Sequence, residues 1–391
     1  MQVVVTCEFR FFQTPDGKVW TPSAFTADFW LRYLAVFERV KVVARIQAVE
    51  TAVDGWQRSD RDNVCFVGLP YYVGFTGLLR NARAIVNTLS EAVSSQDALI
   101  YRVPSQTSTL ALLLRRTNLQ HFAVEVVGDP ADVFDAGITH SILDKLLGFI
   151  SAKTLRSMCK RAIAASYVTK AYLQERYPVK ESVFQTACSS IELDPKWLTD
   201  TPKEYSKPAS KLLFIGSFGQ LYKGQDTLLK AIALLQNRGL DLELTMLGGG
   251  LYVKPMQALA AELGIEQRVT FCGEVNAQQV KQSLDDAELF VMPSRTEGLP
   301  RALIEAMATG LPAIGSKVGG IPELLPEQHL FVSDDSNDLA DRLEALATST
   351  EKLNQASKLN IETASGYEKS LLASRREAFY SAVKQAFEVS Q

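Results

Sequence analysis

Two glutamates eight positions apart, Glu297 and Glu305, carry the strongest chemical signal in the sequence. They lie in Ser294-Arg295-Thr296-Glu297-Gly298-Leu299-Pro300, which runs on through Glu305-Ala306-Met307-Ala308 to Gly310-Leu311-Pro312. Ionised carboxylates accept hydrogen bonds from hydroxyls, and the amino end of a helix favours negative charge. The pair therefore suits an anionic ligand rich in hydroxyls, that is, a sugar joined to phosphate. The run Ala287 to Met292 reads as a short buried strand. Pro300 to Thr309 reads as a helix with proline at its first position and Gly310 just past its end. Glu297 is thus predicted on a strand-to-helix loop, with Glu305 about two turns into the helix and the unpaired N–H groups of the first turn facing the same crevice.

A second loop supplies a cation. Phe214-Ile215-Gly216-Ser217-Phe218-Gly219-Gln220-Leu221-Tyr222-Lys223-Gly224 follows a predicted strand and precedes a predicted helix over Thr227–Gln236. Glycine lets a backbone approach phosphate closely, and Lys223 is the one cation in this loop. A charge-assisted hydrogen bond contributes about 1.5–3 kcal/mol and a helix end about 0.3–1, so Lys223 is expected to dominate anion binding. Arg295 and Arg301 flank the same crevice, either as further phosphate ligands or as surface cations. No G-x-G-x-x-G follows an early strand and opens a helix, which argues against a dinucleotide site.

Framed by P-S-x-x-E-G-x-P and E-A-M-A-x-G-x-P, Glu297 and Glu305 resemble the donor-site motif of the retaining family 4 glycosyltransferases. The resemblance extends over most of residues 205–390 and thins to general topology in the first half. It implies the GT-B fold: α/β, two Rossmann-like domains facing across a cleft, with a C-terminal helix crossing back to the first domain. It also implies that Glu297 faces the donor sugar, Glu305 holds the ribose hydroxyls and Lys223 binds the donor diphosphate. Gly216, Ser217, Gly298, Leu299, Pro300 and Arg301 fall in the same donor-binding segments. An arginine often precedes the family's lysine; that position is Ser217 here, or Phe218 if counted back from Lys223.

The resemblance places further residues. Gly248, in Leu247-Gly248-Gly249-Gly250, ends a strand where the nucleotide is expected, and Gly273, in Phe271-Cys272-Gly273-Glu274-Val275, lies in a turn resembling the one that contacts the base. Val318-Gly319-Gly320-Ile321-Pro322-Glu323 matches another family segment, with Glu323 read mainly as a turn residue. Gly17, in Thr14-Pro15-Asp16-Gly17-Lys18-Val19-Trp20-Thr21, resembles the glycine loop that approaches the donor phosphates and the acceptor. Many relatives carry a histidine after a central strand of the first domain. Here Phe122–Val127 runs into Gly128-Asp129-Pro130, so Asp129 stands at that place, either positioning a substrate or simply forming a turn. His121, His140 and His329 fit the histidine's role poorly by position. The implied chemistry is transfer of a sugar, with retention, from a nucleotide-diphosphate donor to a glycan, lipid-linked or small-molecule hydroxyl acceptor. Lys223 and helix ends would stabilise the leaving diphosphate. No metal and no cofactor are expected, since no Asp-x-Asp cluster stands at a suitable place. The rivals are another GT-B activity, such as nucleotide-sugar epimerisation or phosphorolysis, and a non-catalytic nucleotide-sugar-binding partner protein.

The elements that must position these residues follow from alternation. Apolar β-branched runs alternate with helical patterns in two series, the first from Gln2–Thr6 to Ser182–Ala187 and the second from Lys211–Ile215 to His329–Val332. Such alternation predicts two parallel sheets with helices on both faces. The expected domains are 1–205 on the acceptor side and 206–366 on the nucleotide-sugar side, joined through the linker-like Leu198–Ser210, with a final helix over about 367–391 returning to the first. With 391 residues, 47% hydrophobic and 22% charged, the chain has the composition of a two-domain globular protein. A formal charge of −3 argues against nucleic acid as a partner. Cys7, Cys65, Cys159, Cys188 and Cys272 lack metal or dithiol spacing and read as buried thiols in a reducing compartment. Met1 leads straight into a strand without signal-peptide character, and no apolar run reaches membrane-span length, so a cytoplasmic location is expected. The basic stretch Lys145 to Lys170, interspersed with Leu146, Leu147, Phe149, Ile150, Leu155 and Met158, suits peripheral contact with an anionic membrane at its inner face, or else covers the first sheet.

Overall fold

Val3, Val4 and Val5 are all fully buried. Consecutive burial of this kind marks a strand covered on both faces, as in parallel sheets flanked by helices, and it recurs through the protein. The computed structural model describes residues 1–22, 24–114, 119–131, 142–191, 193 and 197–390. They divide into two compact units: unit 1 is Met1–Gly128, Phe149–Cys188 and Leu372–Gln391, and unit 2 is Asp129–Gly148 and Ser189–Leu371.

The strands of unit 1 are β1 (Gln2–Gln13), β2 (Val19–Thr21), β3 (Arg39–Ala48), β4 (Gln57–Arg58), β5 (Val64–Leu69), β6 (Ala98–Val103), β7 (Ala123–Val126), β8 (Ala164–Tyr167) and β9 (Phe184–Ala187). Their parallel core runs β5-β3-β1-β6-β7-β8-β9, so the winding reverses between β1 and β6. β1 is longer than Gln2–Thr6. Its register against β3 shifts between Cys7 and Arg10, a bulge that lets it continue to Gln13 and turn back antiparallel into β2.

Unit 2 contains β10 (Lys211–Ile215), β11 (Glu243–Leu247), β12 (Val269–Gly273), β13 (Leu289–Met292), β14 (Ala313–Ser316) and β15 (Leu330–Phe331). All pair in parallel, in the order β12-β11-β10-β13-β14-β15. Leu212, Phe214, Leu244, Met246, Val269, Leu289, Val291, Ile314 and Phe331 are the sheet's share of one apolar core. The boundary at Ser189 falls before the expected Leu198–Ser210, because residues of linker composition are pinned to unit 2. Leu193 bridges to Glu368, and Thr199 N–H donates to Ala308 C=O at 3.0 Å. The Lys203 ammonium donates to the carbonyls of Leu284, Asp285 and Ala287 at 3.1, 2.8 and 2.9 Å.

The last helix, Lys369–Ser390, gives its residues from Leu372 onward to unit 1. The contact centres on Glu125, a carboxylate only 6% exposed in the middle of β7. Glu125 accepts from Tyr380 Oη and Tyr33 Oη at 2.9 Å each, pairs with the Arg102 guanidinium, and lies below the stacked Tyr33 and Tyr380 rings, 4.6 Å apart. Burial and the Glu125 charge push both phenols well above their usual range, so they remain donors at any ordinary pH.

The Lys145 to Lys170 stretch is not one helix. It is helical over Ile142–Arg161 and then enters β8. Leu155 and Met158 are buried, while Phe149 and Ile150 are 66% and 46% exposed beside exposed Lys153 and Arg156. The side chains of Lys145 and Leu147 lie outside the described residues, as does His140. No helix among the described residues is long and apolar enough to cross a membrane.

Removing the charge of Glu125 should strand the Arg102 guanidinium out of water, a loss of about 3–5 kcal/mol. Removing one phenol hydrogen bond to a charged group costs about 1.5–3 kcal/mol. Scanning calorimetry should therefore show Glu125→Gln lowering the unit 1 transition further than Tyr380→Phe does.

Candidate active site

In an open parallel sheet, ligands bind beyond the carboxyl ends of the strands where the winding reverses. In unit 2 this point lies between β10 and β13, and it is where the predicted cation and the first predicted carboxylate meet. Lys223 ends a short 3₁₀ turn after β10, Leu221–Lys223, before helix Gln225–Asn237. Glu297 lies on the loop between β13 and helix Arg301–Ala308. The Lys223 ammonium donates to Glu297 Oε1 at 2.5 Å, and Ser294 Oγ donates to the same oxygen at 2.7 Å. Their side chains are only 16% and 9% exposed. Among the described residues nothing donates to Glu297 Oε2, which leaves that oxygen for a ligand.

Backbone contacts fix this loop. Gly320 N–H donates to Gly298 C=O at 2.8 Å, and a Cβ on Gly319 would stand 1.8 Å from Glu297 C=O. Gly319 is also at φ +54°, so only glycine fits there without moving the catalytic candidate. Ser316 Oγ donates to Ser294 C=O at 2.5 Å from below.

Helix Arg301–Ala308 starts one residue later than predicted. Pro300 is its N-cap, with ψ 113°, and Leu299 is buried. Glu305 therefore stands one turn into the helix rather than two. It is half-buried, and among the described residues no group donates to its carboxylate. Burial pushes the Glu305 carboxyl above its ordinary value of 4.5, while the charge of exposed Arg301 acts in the opposite direction.

Arg295 is not a spare phosphate ligand. Its guanidinium makes a two-pronged pair with Asp226 at 2.9 and 2.8 Å, reaches Asp334 Oδ1 at 2.5 Å and donates to Leu221 C=O at 2.5 Å. It thereby ties the β13 loop to the Lys223 turn and the helix that follows. Phe218 is wholly buried, edge-on to Phe214, while Ser217 is exposed with its hydroxyl accepting from Gly219 N–H at 3.1 Å. Neither alternative for the family arginine brings a second cation. Gly216 packs beside the Lys223 stem, and a Cβ on Gly248 would stand 2.0 Å from Gly216 C=O. Gly273 C=O accepts from Gly248 N–H at 2.8 Å, so the three strand ends are stitched backbone to backbone.

The remaining candidates belong to other elements. Gly17, at φ +79°, sits in the exposed β1–β2 hairpin turn, not in a strand-to-helix loop. Asp129 is 4% exposed, and its carboxylate accepts from Ala131 N–H at 2.8 Å, the bond of a turn-forming aspartate. His121 is exposed and His329 buried, near the last strand of unit 2. At the reversal point of unit 1 stands a residue the sequence reading passed over, Glu8, in the β1 bulge. It accepts from Tyr72 Oη at 3.1 Å, Ser105 Oγ at 2.8 Å and Thr107 N–H at 3.4 Å. Among the described residues no cluster of three or more His, Cys, Asp or Glu side chains could hold a metal ion.

The sequence model of the glycosyl transferases group 1 matches residues 200–362. Protein CapJ of Staphylococcus aureus is 30% identical over 315 residues, which cover 80% of this chain and 78% of that protein. The chain belongs to the glycosyl transferases group 1 family. A second relative within the group is the GDP-mannose-dependent alpha-(1-6)-phosphatidylinositol monomannoside mannosyltransferase of Mycolicibacterium smegmatis. It is 36% identical over 108 residues, only 26% of this chain and 28% of that protein. Among solved structures, sucrose-phosphate synthase from Thermosynechococcus elongatus superposes with a TM-score of 0.70 at 17% identity, covering 100% of both chains. The fold is accordingly GT-B, with two Rossmann-like α/β units, and the match to the glycosyl transferases group 1 spans the Lys223, Glu297 and Glu305 segments.

Gly319→Ala should displace the Glu297 loop and cut nucleotide-sugar binding at least roughly tenfold, about 1.4 kcal/mol. Gly239→Ala is the matched control, with φ +84° but open space around the added Cβ. Calorimetric titration alongside melting curves should show both variants losing stability and Gly319→Ala alone losing binding.

Proposed function

We propose that this protein is a retaining, metal-independent glycosyltransferase that moves a sugar from a nucleotide diphosphate to a glycan or lipid-linked hydroxyl. The observation that carries the reading is the Lys223–Glu297 pair at the reversal point of the unit 2 sheet, on the loop that leads into the helix bearing Glu305. The donor diphosphate draws the Lys223 ammonium from Glu297 onto its own oxygens, and the released carboxylate turns to the sugar hydroxyls. Glu305 accepts from the ribose hydroxyls. The acceptor hydroxyl oxygen bonds to the anomeric carbon as the bond to the diphosphate breaks, and the diphosphate leaves with the electron pair and takes up the hydroxyl proton. Lys223 and the first turn of helix Arg301–Ala308 stabilise that charge.

Lys223→Ala should weaken donor binding at least roughly tenfold, about 1.4 kcal/mol, in a titration with the nucleotide sugar selected from a panel. Glu305→Gln should weaken it too while raising the melting temperature at neutral pH. A carboxyl whose folded value is raised contributes stability below its unfolded value and loses it as pH rises through the folded one, so ionised Glu305 opposes folding at pH 7. The melting difference between Glu305→Gln and the wild type should close as pH falls below 4.5. Nucleotide release only when acceptor is added supports transfer; binding without turnover supports the rival reading as a non-catalytic partner.

A lipid-linked acceptor is favoured by the exposed Phe149, Ile150, Lys153 and Arg156 on one helix of unit 1, an apolar and basic surface suited to anionic headgroups. The Mycolicibacterium smegmatis relative is itself named for transfer to a phosphatidylinositol monomannoside. The protein should co-float with anionic liposomes at low salt, and Phe149→Ser with Ile150→Ser should abolish this. Failure of the wild type to float would end the membrane reading and leave the transfer chemistry standing.

A further inference from the structure

At the amino end of β15, the opposite edge of the sheet from the donor loops, unit 2 holds a cavity of about 530 Å³. Its walls are the turn Glu327–His329, helix Ser336–Ala347 and helix Thr350–Ser365. Lys352, Gln355, Ala356 and Leu359 fall at helical spacing and present one face to it, with Arg342 and Leu346 on the neighbouring helix.

The charges around the cavity are one-sided. Arg342 and Lys352 line it, and among the described residues no acidic side chain does. The nearby carboxylates are engaged: Asp338 accepts from Val332 N–H at 2.7 Å and from Arg342 Nε at 3.2 Å, Glu351 accepts from Gln355 Nε2 at 3.2 Å, and Glu327 pairs with Lys317. Lys352 Nζ donates to Ala345 C=O at 3.2 Å, which leaves further ammonium protons for another acceptor. His329, on the third wall, is 6% exposed, and its buried Nδ1 has no hydrogen-bond partner. The His329 ring borders the cavity although its Nδ1 is closed off from it, and a concave space of this size with two cations and an apolar wall has the form of a small-ligand site.

We propose that this cavity binds a small organic anion, an apolar body bearing one phosphate or carboxylate, held by Arg342 and Lys352 beside the His329 ring, with the body against Leu346 and Leu359. The site is separate from the donor loops, and the inference does not depend on the reaction proposed for them. Burial and the charge of Lys352 push the His329 imidazole down to about 4. An anion placed between the three groups favours the protonated ring and raises that value.

The chain has three histidines, so imidazole resonances in histidine-labelled full-length protein can be followed singly, with His329→Gln identifying the signal. Phenyl phosphate and benzoate separate the two anion chemistries, inorganic phosphate tests the need for an apolar body, and benzyl alcohol is the neutral control. The expected result is a saturable shift of the His329 signal with at least one organic anion, a rise of its pKa by about one unit or more, and persistence of both in Lys223→Ala. The double variant Arg342→Gln, Lys352→Gln alters two partly exposed side chains and should weaken this binding at least roughly tenfold. Absence of a saturable shift with either organic anion would overturn the proposal. So would equal binding of benzyl alcohol or of inorganic phosphate, or full binding by a double variant with an unchanged melting temperature.

Discussion

Between β10 and β13 the winding of the unit 2 sheet reverses, so the loops leaving these neighbouring strands run to opposite faces and open a crevice over the sheet's edge. Every feature of the candidate site depends on that parting. It lets a lysine from one loop and a glutamate from the other meet although 74 residues separate them. Two charges largely removed from water are costly unless each meets a partner. Here the partners are each other and the Ser294 hydroxyl, all converging on a single carboxylate oxygen. Among the described residues nothing donates to the second oxygen. The pair is thus mutually compensated, a cation and an anion that the proposed donor would draw apart.

The neighbouring charges have a different task. Arg295 lies two residues from Glu297, yet its guanidinium is spent on Asp226, Asp334 and a carbonyl of the Lys223 turn. Arginine suits this work because its planar fork can hold a carboxylate at two points and still reach a third acceptor. The glycines act in the same sense. At Gly248 and Gly319, backbone of one loop rests on backbone of the next, with no side chain between them. These contacts fix the backbone of the loops that carry Lys223 and Glu297.

Local pattern was enough to read the regular elements of this fold. All thirteen apolar runs of the two series correspond to strands, because a doubly covered parallel strand needs a continuous apolar stretch that a flanked helix does not produce. The two loops that bring Lys223 to Glu297 were legible for the same reason, since their glycines, prolines and charged residues lie close in sequence. What escaped was set by distant partners. β1 reads as ending at Thr6 because Glu8 and Arg10 interrupt the apolar run, but the bulge there turns Glu8 toward Tyr72 and Ser105, 64 and 97 residues away. The role of Arg295 depends on Asp226 and Asp334 in the same way. The residues near 200 have the composition of a linker, and their attachment to unit 2 rests on carbonyls offered by a helix end some 80 residues later.

The sharing of Glu125 between β7 and the last helix has a consequence for the order in which the protein takes shape. Unit 2 has all its parts once residue 371 has been made, whereas unit 1 still lacks Leu372–Gln391. Until that segment emerges from the ribosome, a carboxylate and a guanidinium in the heart of the first sheet miss the Tyr380 hydroxyl and the ring that shields them. The half of the protein translated first is therefore the half that finishes folding last, and nascent chains should carry an unsealed seam that a chaperone could recognise.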